Sequence, residues 1–319
     1  MPCEFLALAA RVISGYLFHI GRERNALTLS QKRKPPNYMI PTYKTLGGYG
    51  DTLHRPLENT ELRGFAPSIF AENAHARTSD RYSFLPTSSI LDGMADEGWV
   101  PVAAQEQLVR DPSRAGFQKH MLRFAHRDDI QKPGGERPEI VIVNSHDRSS
   151  AYQLHAGIFR FLCLNGLVVC DETFKRISIT HMGFEPSKVI EASVQIAEGI
   201  PVLMNRLDEM KNLRLTDSER EAYAEAATIV RFGDLESAPV RPVKLLEPRR
   251  YEDSGNDAWR TFNVVQENAT KGGQKDHTKR KPTGGRMPQS RAVKGIDGNV
   301  TLNKALWHLA EKLVELKHG

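Results

Sequence analysis

Hydrophobic residues recur along this chain with two periods, and the switch between them outlines its elements. Ile140 to Val143 is a β-branched run that reads as a buried strand. Asn144, Ser145, His146 and Asp147 end it with side chains that hydrogen-bond nearby backbone and so favour a turn. The chain re-extends at Tyr152 to Leu154, then turns into an apolar segment from Gly157 to Leu164. It stops at Asn165-Gly166, a pair that suits either a helix C-cap or a tight turn into a strand from Leu167 to Cys170. Upstream, the pattern predicts a helix from Ser88 to Glu97 capped by Thr87, and a strand from Trp99 to Arg110. A hairpin connection through Asp111-Pro112-Ser113 and Gly116 leads to a partner strand from Gln118 to His126. Phe174 to His181 alternates as a further strand.

Helical spacing takes over after Pro186. Ile196, Ile200, Leu203, Leu207 and Met210 form one apolar seam in a helix reaching about Asn212, which Gly199 and Pro201 are expected to kink or split. Thr216 and Glu219 stand at capping-box spacing and open a helix to about Phe232. This helix pair suits an antiparallel hairpin, packing on its own sheet, or an oligomer contact with a second copy. Asp257 to Asn268 reads as helix around Trp259 and Phe262. A closing helix from about Asn299 to Leu316 carries Leu302, Ala305, Leu306, Leu309, Leu313 and Leu316 on one side. The order predicts an α+β fold: a largely antiparallel sheet with long helices packed on one face and a basic C-terminal helical segment.

Residues 1–38 read differently from the rest. Phe5 to Ile20 is apolar but interrupted by Arg11 and too short for a membrane span, and Glu4 rather than a basic residue precedes it. The expectation is an atypical extension, disordered or an over-extended start ahead of Met39. Residues 39–319 are expected to form a single domain, with no membrane partner.

Charge sharpens the picture. Residues 268–294 hold eight basic side chains against one acid, Asp276, a surplus of +7 in a chain whose total is +5. The remainder is therefore −2, and the basicity is local. A concentrated positive segment attracts a phosphate backbone by releasing condensed counterions; a solvated loop with no partner is the plainer alternative. Three cysteines, Cys3, Cys163 and Cys170, form no metal or disulfide pattern and fit a reducing cytoplasm.

Candidate chemistry follows from these patterns. In the basic segment, Lys271, Lys279, Arg280, Lys281, Arg286 and Arg291 supply charge, while Gly272 and Gly273 leave backbone N–H groups accessible to phosphates. Trp259 or Phe262 could stack on bases, unless both are core. A second, polar set comprises Asn144, His146, Asp147, Arg160 and Asn165. Ser145-His146-Asp147 contains the residue types of a hydrolase triad, but adjacent side chains on an extended chain face opposite ways. A metal site could draw on His146, Asp147, His155, Asp171 and Glu172, although no spacing forces them together. No phosphate-loop or dinucleotide fingerprint is present.

Two separated stretches resemble a bacterial family carried by plasmids, prophages and phages and known as domain of unknown function 932. The first runs through Val143-Asn144-Ser145-His146-Asp147, Gly157-Ile158-Phe159-Arg160, Cys163 and Asn165-Gly166-Leu167. The second comprises Trp259 to Asn268, Gly272-Gly273, Ser290-Arg291 and Leu302 to Trp307. The resemblance implies a cytoplasmic mobile-element protein and brings no reaction, cofactor or catalytic residue. Together these signals point to a non-enzymatic nucleic-acid-binding protein, with single-stranded DNA the favoured partner and no cofactor or metal. A metal-dependent nuclease and a protein-binding factor that counters a host defence enzyme are the other readings.

Overall fold

The computed structural model describes residues 55–78, 82–130, 135–160, 186–279 and 287–318, with backbone alone at 45–46, 165–168 and 177–179. Seven strands form one sheet within this range: β1 (Thr45–Leu46), β2 (Trp99–Glu106), β3 (His120–His126), β4 (Glu136–Asn144), β5 (Tyr152–Arg160), β6 (Asn165–Val168) and β7 (Ile177–Ile179). Their order is β1-β2-β3-β4-β5-β6, and β6 and β7 share one edge of β5 by pairing with its two ends. Every pair is antiparallel. The described helices are α1 (Asn59–Phe65), α2 (Ser89–Asp96), α3 (Arg127–Ile130), α4 (Pro186–Asn212), α5 (Asp217–Phe232), α6 (Ala258–Lys271) and α7 (Ile296–His318). The fold is α+β, as the alternation of periods predicts.

The chain packs as two compact units. The sheet unit is Pro41–Met204 with Lys294–Asp297, and the helical unit contains Asn205–Val293 with Gly298–Gly319. In the sheet unit, β4 and β5 are central and almost wholly buried, and their apolar stretches, Ile140 to Val143 and Ala156 to Phe159, are flanked by buried polar residues. Strand β2 alternates instead, with Val100, Val102 and Ala104 inward, and carries an irregularity between Pro101 and Ala103. Helices α1 and α2 pack against β2. Gly98 turns the chain from α2 into β2 at φ 83°, and a Cβ there would meet His126 Nε2 at 2.5 Å.

Several boundaries differ from the sequence expectation. Strand β2 ends at Glu106 rather than Arg110, because Asp111 starts a 3-10 turn at Pro112–Arg114 and its carboxylate accepts the Ser113 N–H. Gly157 to Arg160 does not leave the sheet but completes β5, since both its edges find partners there. Helix α4 is continuous through Gly199 and Pro201, neither splitting it. Its seam is buried at Ile196, Leu203, Leu207 and Met210, with Ile200 half-buried. The N-terminal residues 1–38, the turn at 132–134, Cys163, Cys170, Asp171 and Glu172 lie outside the described residues.

In the helical unit, the Thr216–Glu219 capping box forms as spaced, and Gly233 at φ 101° ends α5. Trp259 and Phe262 stack at 5.6 Å, and Phe262 meets Trp307 edge-on at 5.7 Å. All three rings are buried, so they build the core and offer no platform for bases. Tyr223 donates its hydroxyl to the Leu306 carbonyl, and Gln266 donates to Asn303 at 2.6 Å, tying α5 and α6 to α7. Among the described residues no helix is long and apolar enough to cross a membrane.

Candidate functional site

Polar side chains converge at one end of the sheet because of register. Glu106 pairs with His120 and His120 with Asn144, so the three side chains stand in a row on one face. One step beyond the Val143–Gln153 pair, the same register brings Tyr152 alongside Asn144. Thr87, just ahead of α2, comes down on this row. Its Oγ1 lies 2.8 Å from His120 Nε2, 2.9 Å from Asn144 Nδ2, 3.2 Å from the Tyr152 hydroxyl and 3.3 Å from His146 Nε2. Sequence reasoning gives Thr87 a capping role. In the structure Ser88 is the N-cap, and the Thr87 hydroxyl is engaged below.

Protonation in this cluster follows from its neighbours. His120 Nδ1 is 3.2 Å from the Gln118 carbonyl, which can only accept, and 3.0 Å from Ser68 Oγ. The ring proton therefore sits on Nδ1, and Nε2 accepts from the Thr87 hydroxyl. Burial pushes the His120 pKa down to about 4, holding the ring neutral. Burial likewise raises the Tyr152 phenol, which keeps its proton and donates to Thr87. A hydroxyl has one donor and two acceptor positions, yet four partners surround Oγ1. The Thr–His pair has the form of a nucleophile and its base. However, Thr87, His120, Asn144, His146 and Tyr152 are all buried, so the cluster acts as a rivet that closes the sheet end under α2. Among the described residues, Asn144 Oδ1 is a buried atom with no hydrogen-bond partner.

Neighbouring residues extend outward from the rivet. Phe84 packs over His146 at 5.0 Å, the His75 N–H bonds to the His146 carbonyl, and Tyr82 donates to the Ser145 carbonyl. Burial, with the Asp147 charge nearby, pushes Tyr82 up to about 12. Ser145 pairs with Ser150, His146 with Thr87, and Asp147 with Arg114, so these three adjacent residues form no triad. Burial raises the Asp147 carboxyl, but the Ser149 hydrogen bonds and Arg114 outweigh it and keep Asp147 ionised. No group of three or more His, Cys, Asp or Glu among the described residues could hold a metal ion.

The predicted polar set is divided by the same register. Asn144, His146 and Asp147 lie at the rivet end. Arg160 pairs with Glu136 at the other end of β4, roughly 26 Å away at ~3.3 Å per residue. Its Nε stands 3.8 Å from the Glu136 carboxylate. Asn165 pairs with Arg160 through β6, and its side chain lies outside the described residues. On the opposite face, buried Glu139 receives Arg123 and Arg137, both over the Phe159 ring.

The basic segment belongs to the helical unit, and its base is clamped. Gly273 N–H bonds to Ser290 O, Ser290 N–H to Gln274 O, and Lys275 bridges to Gln289. Asn268 fixes the surroundings: its amide donates to the Leu245 and Glu247 carbonyls and accepts from Arg249 at 2.7 Å. Gly272 and Gly273 use their N–H groups within the fold, the former to Asn268 O. Lys271 pairs with Glu267, and Lys279 donates to the Leu235 and Glu236 carbonyls. Arg280, Lys281 and Arg286 lie outside the described residues. Arg291 is exposed, and its guanidinium has no hydrogen bond or ion pair among the described residues.

Beside this clamp opens a cavity of about 680 Å³, lined by Arg231, Phe232, Pro239, Met287, Gln289 and Arg291, with Pro288 and Ser290 between them. Arg231 is fixed by donating to the Ala269 and Arg291 carbonyls, and its guanidinium stands 5.1 Å from the Phe232 ring centre. The wall thus includes an aromatic ring, a methionine and a cation with no side-chain partner among the described residues. Sequence reasoning found Arg291 through its charge but missed Phe232, which sits at the end of α5 and joins Arg291 only in space.

Comparison with known proteins adds a family. The family described as Domain of unknown function (DUF932) matches residues 74–307. UPF0380 protein YafZ of Escherichia coli K12 is 42% identical over 260 residues, spanning 82% of this chain and 92% of its own length. UPF0380 protein YfjQ of the same organism shows the same identity and coverage. No solved structure matches.

Proposed function

We propose, from the premise that this chain belongs to the DUF932 family of unknown function, that it binds single-stranded nucleic acid without catalysis. The observation that carries this reading is the exposed Arg291, whose guanidinium has no partner among the described residues, at a cavity walled by Phe232, inside the segment that concentrates the chain's positive charge. A base stacks on an aromatic ring whatever its identity, and a guanidinium holds the adjoining phosphate. Duplex DNA keeps its base faces covered, so this pairing of ring and cation suits an unpaired strand. The mobile-element setting implied by the resemblance supports a role in DNA transactions of a plasmid or phage in the cytoplasm.

The test is binding of labelled single- and double-stranded oligonucleotides to the full chain across a salt series. The expected result is tighter binding of the single strand, weakening with salt. Arg291→Ala should make the slope of log K against log salt shallower by about 0.7, the value for one single-strand phosphate. Phe232→Ala should weaken binding by about 1–3 kcal/mol without changing that slope. Absence of binding at low salt overturns the reading. Cleavage of the strand that depends on a divalent metal would replace it with a nuclease.

A further inference from the structure

The loop after β4 contains a residue whose type the fold does not require. Arg148 has φ 68°, and it is the sole non-glycine residue at positive φ among those described. That region is costly for a side chain with a Cβ, and glycine or asparagine would hold the same turn with little strain. The turn itself is secured by others: Asp147 Oδ1 accepts the Ser149 N–H, and Ser145 Oγ accepts the Ser150 N–H. Arg148 is exposed, and its Nη1 lies 3.5 Å from the Arg77 carbonyl oxygen. Packing among the described residues therefore gives no reason for arginine here.

Its neighbours give one. Arg77 is three-quarters exposed, and its guanidinium stands 3.9 Å from Asp111, whose carboxylate is already bonded to the Ser113 N–H and hydroxyl. Asp147 is matched by Arg114, which approaches it through Nε and Nη2. Three arginines thus meet two carboxylates that are already engaged, and the N–H forks of Arg77 and Arg148 remain on the rim. We infer that Arg77 and Arg148 form a binding site for a phosphate group at the sheet end above the rivet. Guanidinium forks match phosphate oxygens in pairs, and strain held at an exposed functional residue is how such a rim is maintained against its own backbone cost. The site lies in the sheet unit and stands independently of the cavity in the helical unit.

The test measures inorganic phosphate binding to the full chain by calorimetry, in the wild type, Arg148→Gly and Arg77→Ala. The inference expects saturable binding in the wild type and about tenfold weaker binding in Arg148→Gly and Arg77→Ala, the loss of one charge-assisted hydrogen bond. It also expects Arg148→Gly to melt at a higher temperature than the wild type, because glycine relieves the backbone while the ligand contact is lost. Unchanged phosphate affinity in Arg148→Gly, no saturable binding in the wild type, or a lower melting temperature for the glycine variant would each overturn it. A dinucleotide with a 5′ phosphate distinguishes the source within a positive result. Binding tighter than that of inorganic phosphate and weakened by Arg148→Gly assigns the site to a nucleic-acid strand, and an Arg148-dependent affinity equal to that of inorganic phosphate assigns it to free phosphate.

Discussion

The rivet of the sheet unit and the cavity of the helical unit both gather polar side chains around one point, and they differ in what those side chains have left to offer. At the rivet, His120, Asn144 and Tyr152 reach the Thr87 hydroxyl from strands held in register and His146 from the loop after β4, and the hydroxyl is oversubscribed. At the cavity, Arg231 donates to two carbonyls of the protein, while the Arg291 guanidinium has no partner among the described residues. The rivet's unpartnered Asn144 Oδ1 is buried, so a convergence of polar residues marks a binding site only when hydrogen-bonding capacity remains after folding on an exposed group. Burial follows the same division, since desolvated groups with partners rigidify a fold and exposed groups without them await a ligand.

The largest test of this contrast is Thr87→Val. It removes the hydroxyl and leaves His120, Asn144 and Tyr152 buried without their shared partner, which should cost roughly 3 kcal/mol or more of unfolding free energy. Denaturant melts check the loss. Oligonucleotide binding by the folded fraction should be unchanged, and a matching loss of binding would erase the distinction between the two regions.

A comparable effect is expected from pH. The folded His120 titrates near 4, below its usual 6.5, so the folded state disfavours the protonated ring. Stability from this residue is complete above pH 6.5 and falls as the pH drops towards about 4, by roughly 3 kcal/mol in total. His120→Gln should flatten this dependence in melts recorded over that window. An unchanged slope in the variant would show that another group sets the acid response.

A smaller effect sharpens the helical side of the comparison. Gly272 has φ 62°, and a Cβ there would stand 2.5 Å from the Arg291 carbonyl carbon. Gly272→Ala should cost about 1–3 kcal/mol and move the Arg291 backbone, so stability and strand affinity fall together. Thr87→Val is expected to separate those two readouts.

Much of the fold was legible from pattern. The capping box at Thr216, the β-branched core of β4 and the leucine face of α7 appear where periodicity places them, because each depends on neighbours a few residues away. Pro201 was misleading for a local reason: a proline removes one helical hydrogen bond, yet α4 runs through it. The candidate sites were less legible. His120 and Asn144 are far apart in sequence, and Thr87 is farther still, so local spacing gives no sign that they meet.

By itself, the sequence determined the two periodicities, the α+β class, the family likeness and the concentration of positive charge in residues 268–294. Tertiary structure alone decided which polar groups became saturated. Strand register carried Asn144 to the rivet and Arg160 to the opposite end of the same strand, and the clamp at Gly273 and Ser290 brought Arg291 beside Phe232. The physical reason is that composition and period are properties of short segments. Hydrogen-bonding capacity left over after folding depends on partners that only long-range pairing brings together.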